Sequence, residues 1–346
     1  MLYIFFYLIF FHIFNPGTSS YNEREVIIIR TGINFLCNGK FDEALDIFDD
    51  LKYNNNDSLA SNLFKAISYS FIMDKYRSTK FDSAFFQSSN NAIKIGEELL
   101  SSDKKNPKIH LYLGGAYGIR GVRKTMLGDL WGGISDGLKA HKLLHKTVEL
   151  NPDMYDAYYG LGMYHYWKSK RAYMVIRIFG WLFRIKDEKE KGIQELFLAM
   201  EKGYYAKFPT IQALLRIYIE EKKYDEVISL GMEYKKEFPN DVFYRWFVGM
   251  AYINKQRWKE GFEIYDEIEK NLESINFNGR EADVECWYYK AICLYHLGRK
   301  EEALMLCKKI DEIKEVVNRK VFFYGDYIEM SSELMSKINI KSLNDK

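Results

Sequence analysis

The sequence predicts an all-α fold: an α-α superhelix of about six helical hairpins, ended by a capping helix over roughly Val321 to Lys337. Three observations predict it. A pattern of aromatic and small residues recurs at a 34-residue step. Every proline after residue 16 (Pro107, Pro152, Pro209, Pro239) falls at a boundary between candidate helices. No stretch alternates apolar and polar residues with the period of two that a half-buried strand requires.

The repeat is clearest toward the C-terminus. Tyr218 and Tyr224, moved by one step, become Tyr252 and Trp258, with Gly261 and Tyr265 following as Val227 and Gly231 follow Tyr224. A third copy carries Trp287, Ala291, Gly298 and Ala303 after an insertion near Leu272 to Glu281. Earlier copies show as Gly32, Phe35, Gly39, Phe41, Ala44 and Phe48, then as Ala66 and Tyr69 one step on. Another junction runs through Pro152, Tyr158, Leu161 and Gly162, while 71–105 keeps little of the pattern. Small residues such as Gly162, Gly249 and Ala291 let antiparallel helices approach, and the aromatics fill the wider parts of the same interface. One hairpin cannot bury its apolar stripe alone, so stacked neighbours supply the core.

These residues resemble the tetratricopeptide repeat (TPR): a bulky aromatic, Leu-Gly, an aromatic, Gly-x-Tyr, Ala and a closing Pro. The stretch from Leu111 to Lys207 is similar to a group of uncharacterised bacterial TPR proteins. More distantly it looks like the tetratricopeptide repeat 39 and inclusion-clearance family, which has a comparable apolar break before a Gly-x-x-x-Leu helix. The resemblance implies a TPR-like solenoid and carries no chemical site with it. The expected organisation is a leader at 1–20, degenerate hairpins at 21–105, central hairpins at 106–207 and C-terminal repeats with the cap at 208–346. The central part holds a basic-aromatic insert at 169–187.

The leader is almost continuously apolar from Met1 to Phe14, broken only by His12, and is followed by the turn-forming Asn15 to Ser20. It is short for a bilayer span, which takes about 20 residues. It reads as an export signal cleaved between Gly17 and Ser20, so the chain is expected to be periplasmic or extracellular. An uncleaved anchor is the alternative, with Arg24 and Arg30 then favouring a cytoplasmic side.

With 47% hydrophobic and 28% charged residues the chain can bury a core, so disorder is not expected. Fifty basic against 48 acidic residues leave no concentrated basic face, so nucleic acid is not an expected partner. Four cysteines are too few for a disulfide scaffold. Buried free thiols are expected at Cys37, Cys286, Cys293 and Cys307, with a Cys293–Cys307 bridge as the alternative.

Several patterns invite a chemical reading and are outweighed by structural ones. Gly133-Ile134-Ser135-Asp136-Gly137 spells a hydrolase elbow, but helical sequence flanks it where a strand would be needed. Gly114, Gly115, Gly118 and Gly121 lack the preceding strand and following Lys-Ser/Thr of a phosphate loop, and suit close helix packing. His141, His145 and Glu149 could share a face as zinc ligands, yet Lys142 opposes a cation and a solvated stripe is expected. The insert, with Arg171, Arg177, Arg184 and Lys186 among Val175, Ile176, Phe179 and Trp181, reads as an extra helix covering the solenoid's edge. Contact of 169–187 with an anionic membrane surface is the alternative. No catalytic, cofactor or metal site is expected.

One constellation points to binding. The first helix of each hairpin lines the concave wall, which would carry Tyr159, Met163, Tyr166 and Trp167, then Arg216, then Trp246 and Met250, then Tyr288, Tyr295 and His296. Solvent-facing aromatics in a groove hold peptides or sugars. The expected function is a non-catalytic scaffold of the bacterial cell envelope that binds a peptide or protein segment there. A surface glycan or nutrient binder on the same scaffold is the alternative, and an enzyme with an unrecognised site the third.

Overall fold

The computed structural model describes residues 21–51, 55–179, 187–273, 280–319 and 324–344, with side chains outside 55–57, 171–179 and 340–344. Among them are fifteen helices and no strand. Seven antiparallel hairpins pair α1 (Glu23–Cys37) with α2 (Phe41–Asp49), α3 (Asn55–Tyr76) with α4 (Asp82–Ser102), and α5 (Pro107–Met126) with α6 (Leu130–Leu150). They continue with α7 (Ala157–Phe179) and α8 (Lys189–Lys202), α9 (Lys207–Glu220) and α10 (Tyr224–Glu237), α11 (Phe243–Asn254) and α12 (Trp258–Glu273). The last pair is α13 (Arg280–His296) and α14 (Lys300–Ile313), covered by α15 (Tyr327–Asn344). The hairpin beyond the expected six comes from the degenerate 71–105 stretch. There Phe85, Ala92 and Ile93 of α4 are buried without the aromatic and glycine spacing of the other copies.

Most turns inside a hairpin have one construction. The amide of the second residue past the first helix's C-cap bonds back across the last turn: Lys40 to Phe35, Asp129 to Lys124, Lys223 to Tyr218, Arg257 to Tyr252 and Arg299 to Leu294, all at 2.8–2.9 Å. The residue before that amide is left-handed. It is glycine at 39, 128 and 298, but Lys222 (φ 58°) and Gln256 (φ 57°) in the two copies of most regular spacing. Helix starts are marked conventionally. Asn106 accepts from Lys108 N at 3.1 Å with Pro107 in the first turn, and Asp129 accepts from Gly132 N at 2.9 Å. The cap helix starts at Tyr327, six residues after its expected start. Gly325 has a positive φ, and Asp326 accepts from the amides of Ile328 and Glu329 at 3.1 and 3.3 Å, which fixes the first turn there.

Helix pairs meet where glycine permits it. A β-carbon on Gly162 would stand 2.6 Å from the Gly192 carbonyl, and one on Gly192 2.7 Å from the Gly162 carbonyl, so α7 and α8 touch backbone to backbone.

The superhelix closes on itself, because the N-terminal helices pack against repeats more than 100 residues later. Tyr21 donates to Asp156 at 2.7 Å, and Asp156 also accepts from the amides of Tyr204, Tyr205 and Ala206. Burial pushes the Asp156 carboxyl up, against the lowering effect of those four bonds. Phe71 of α3 packs on Phe208 and Phe243, with ring centroids 5.1 and 6.1 Å apart. Two buried ion pairs finish the seam: Lys75 with Asp241 at 2.8 Å and Arg77 with Glu285 at 2.8 Å.

All four cysteines are free and buried, so Cys293 and Cys307 are not bridged. Burial pushes the Cys293 thiol up to about 12. Residues 1–20 lie outside the described residues. So do 180–186 and the side chains of 171–179; the backbone of 169–179 continues α7, so this part of the basic-aromatic insert is not the separate extra helix expected. Of its ends, Ser169 accepts from the Glu188 amide at 2.8 Å and Lys170 pairs with Glu220 at 2.6 Å.

Candidate functional site

Closure decides the fate of the expected aromatic wall. Trp246 is 0% exposed: its indole N–H donates to the Lys75 carbonyl at 3.2 Å, and the Arg77 guanidinium lies 4.7 Å from its ring. Tyr166 is also fully buried, donating to Glu221 at 2.6 Å. Met250 is buried too, and Tyr288 is covered by Tyr327 of the cap helix, with centroids 5.5 Å apart. Burial pushes the Tyr288 hydroxyl up to about 12. The expectation that these four face solvent is therefore corrected: α3 covers Trp246, α15 covers Tyr288, and Tyr166 is enclosed by α8 and α9. Tyr159, Met163, Trp167, Arg216 and Tyr295 are half-buried, the first three in one cluster between α7, α8 and α9. His296 alone is exposed, stacked on Trp258 with centroids 3.9 Å apart.

The chemical patterns resolve as packing. Ser135 lies exposed in the second turn of α6, and the neighbouring Asp136 is buried against Arg120 and Lys124 at 2.7 and 2.9 Å. Burial raises the Asp136 carboxyl, but those two cations outweigh it and hold it below its ordinary value. The glycines of α5 seat helix α6. A β-carbon on Gly121 would stand 3.0 Å from the Gly133 carbonyl, and one on Gly114 2.9 Å from Leu144. His145 contacts Glu149 at 3.0 Å in solvent, as a solvated stripe would. His141 departs from that expectation, lying half-buried and stacked on Tyr164 with centroids 4.0 Å apart. Burial first, then His165, His145, Lys168 and Lys191, lower the His141 imidazole to about 4. Among the described residues no three His, Cys, Asp or Glu side chains converge as metal ligands.

Where the closed wall does open, it opens on polar groups. A cleft of about 570 Å³ lies between the α1–α2 turn, the end of α3, the α10–α11 loop and α12. Lys75, Lys235, Arg245 and Lys270 line it, with Asn38, Asn240 and Asn271, against one carboxylate, Glu267. Lys75 is held by Asp241, Arg245 by Glu267 at 3.0 Å and Lys270 by Asp266 at 2.7 Å. Lys235 is half-buried and makes no ion pair among the described residues. The nearest thiol, Cys37, is raised by burial and by Asp241, the reverse of an activated nucleophile. The arrangement can receive an anionic or acceptor-rich group. Sequence reasoning missed it because its cations come from four separate helices.

Over 128 residues, 37% of its length, the chain is 30% identical to the TPR repeat-containing protein YpiA of Bacillus subtilis. Together with the 34-residue step and the shared turn construction, this similarity supports a TPR protein. The chain spans 28% of that relative's length. No family model matches the sequence. Among solved structures, a TPR protein from Parabacteroides merdae aligns over 92% of this chain and 99% of its own, at 14% identity and TM-score 0.38. Yeast Tom70 aligns over 94% of this chain and 83% of its own, also at 14% identity and TM-score 0.38.

Proposed function

We propose that this TPR protein is a non-catalytic scaffold of the cell envelope whose partner is a protein segment bearing acidic side chains. The observation that carries the reading is the cleft, where Lys235, Arg245 and Lys270 reach solvent above the buried Lys75 and one carboxylate lines the opening, in a repeat array whose aromatic wall is otherwise filled. Helical repeat arrays grip extended or helical segments along such surfaces. Charged rims steer and select partners more than they add affinity. The envelope assignment rests on the apolar run Met1–Phe14 and the small-residue stretch after it. A glycan reading loses its support, because Trp246 and Tyr288 leave no ring face for a sugar to stack on.

The test is capture of partners from an envelope extract by the full chain and by the Lys235→Glu, Arg245→Glu variant, both checked for helicity. The reading predicts that captured proteins are lost from the variant and elute from the unsubstituted chain as salt is raised. An identical captured set from both chains would sink it.

A further inference from the structure

Among the described residues, exposed apolar side chains concentrate at the tip of the α5–α6 hairpin. Trp131 is 84% exposed; Leu127, Leu130, Ile134 and Leu138 are exposed beside it on the turn and on α6. Monomeric soluble proteins seldom leave such a cluster open without a use. Its layout identifies the use. Leu130, Ile134, Leu138, Lys142 and Lys146 follow one another at four-residue steps and are all exposed, so one ridge of α6 is apolar at the hairpin tip and basic farther back. At 1.5 Å per residue the apolar half runs for about 12 Å, close to the roughly 5–10 Å depth at which interfacial helices bury their apolar side. The lysines then stand at head-group level, where their long stems reach anionic phosphates.

Nearby carboxylates offset only part of this charge. Asp136 is buried between Arg120 and Lys124, and Asp129 caps α6. Glu149 is held by Lys146 and His145, while Lys142 makes no ion pair among the described residues. A strip meant for another protein would place its polar rim around the apolar residues; here apolar and basic halves are segregated along the axis, with the tryptophan at the apex. We infer that the α5–α6 hairpin tip docks on an anionic lipid surface, with Trp131 and Leu130 entering the interface and Lys142 and Lys146 meeting the head groups. The contact is peripheral: no described helix is long and apolar enough to cross a membrane. The inference does not depend on the cleft or its partner.

The test is co-sedimentation of the full chain with vesicles of phosphatidylcholine alone and of phosphatidylcholine mixed with phosphatidylglycerol. The inference predicts binding to the mixed vesicles that weakens by at least about tenfold without the anionic lipid, since each lysine near such a surface contributes about fivefold. Leu130→Ser with Trp131→Ser, and separately Lys142→Glu with Lys146→Glu, should each cost at least about tenfold in partitioning. All four side chains are exposed, so both variants keep the fold, which circular dichroism checks. Absence of binding to either vesicle would overturn the inference and leave the patch to a protein partner. Binding unchanged in both variants would overturn it equally, because the contact would then belong to another part of the chain.

Discussion

Replacing Lys75 by methionine removes one charge from the seam that joins the N-terminal hairpins to the later repeats and keeps most of the side chain's length. The Lys75 and Asp241 side chains are 1% and 0% exposed. Asp241 would keep the Tyr234 hydroxyl at 2.6 Å and the Phe243 amide at 3.1 Å, so its carboxylate would be under-paired rather than bare. Breaking a buried ion pair on one side costs about 3–5 kcal/mol, and the two surviving bonds place Lys75→Met near the lower end, at about 3 kcal/mol. Asp241→Asn leaves the ammonium among the rings of Phe41, Phe71 and Tyr76, whose centroids lie 5.4–5.6 Å away, and should cost about 3–4 kcal/mol. The double change leaves no charge behind, so its cost should fall short of the sum by about 2 kcal/mol. Urea unfolding followed by tryptophan fluorescence and by circular dichroism measures all three. Single variants within about 1 kcal/mol of the unsubstituted chain, as expected of an exposed pair, or strict additivity, would refute the reasoning.

Trp246→Ala and Tyr288→Ala should each destabilise the fold by about 3–5 kcal/mol in the same assay, as core truncations do, whereas loss of partner capture at unchanged stability would restore the solvent-facing wall. Lys222→Gly or Gln256→Gly relieves a left-handed backbone strained by a β-carbon and should raise stability by about 1 kcal/mol, read as a shifted urea midpoint. In the fold the His141 imidazole stays neutral down to about 4, while the unfolded chain takes up that proton near its ordinary value of 6.5. Its contribution is therefore whole above about pH 6.5 and is lost progressively as pH falls toward 4. Its partial exposure reduces the loss to about 1–2 kcal/mol. His141→Phe should flatten that part of the stability–pH curve, and an unchanged curve would contradict the assignment.

What the sequence made legible was local. Tyr224 and Trp258, one step apart, do open α10 and α12, and Gly162 does mark the closest helix approach, because helix pairing is encoded within a few turns of chain. The depth of Trp246 was not legible: it rests on the carbonyl of Lys75, 171 positions away, and periodicity tells which face of a helix is apolar without telling how tightly the superhelix winds. Tyr288 depended likewise on where α15 would lie. The α5–α6 tip shows the opposite case. Leu130, Ile134 and Leu138 carry the spacing of a core stripe yet face solvent, since the inner side of α6 is already taken by Gly133, Asp136 and Ala140. His141 was misread because its neighbour, Tyr164, belongs to the next hairpin.

The most direct measurement of closure is a cross-link between the α1–α2 turn and the α10–α11 loop. Asn240 donates to Asn38 at 3.3 Å although 202 positions separate them. In a chain carrying Asn38→Cys and Asn240→Cys, mild oxidation or a short bis-maleimide should join the two new thiols in most molecules, as peptide mass mapping would show. The unsubstituted chain, with its four buried thiols, should give no such product. Free thiols at both positions after treatment would mean that the first hairpin and the α10–α11 loop stand apart and that the closed fold is wrong.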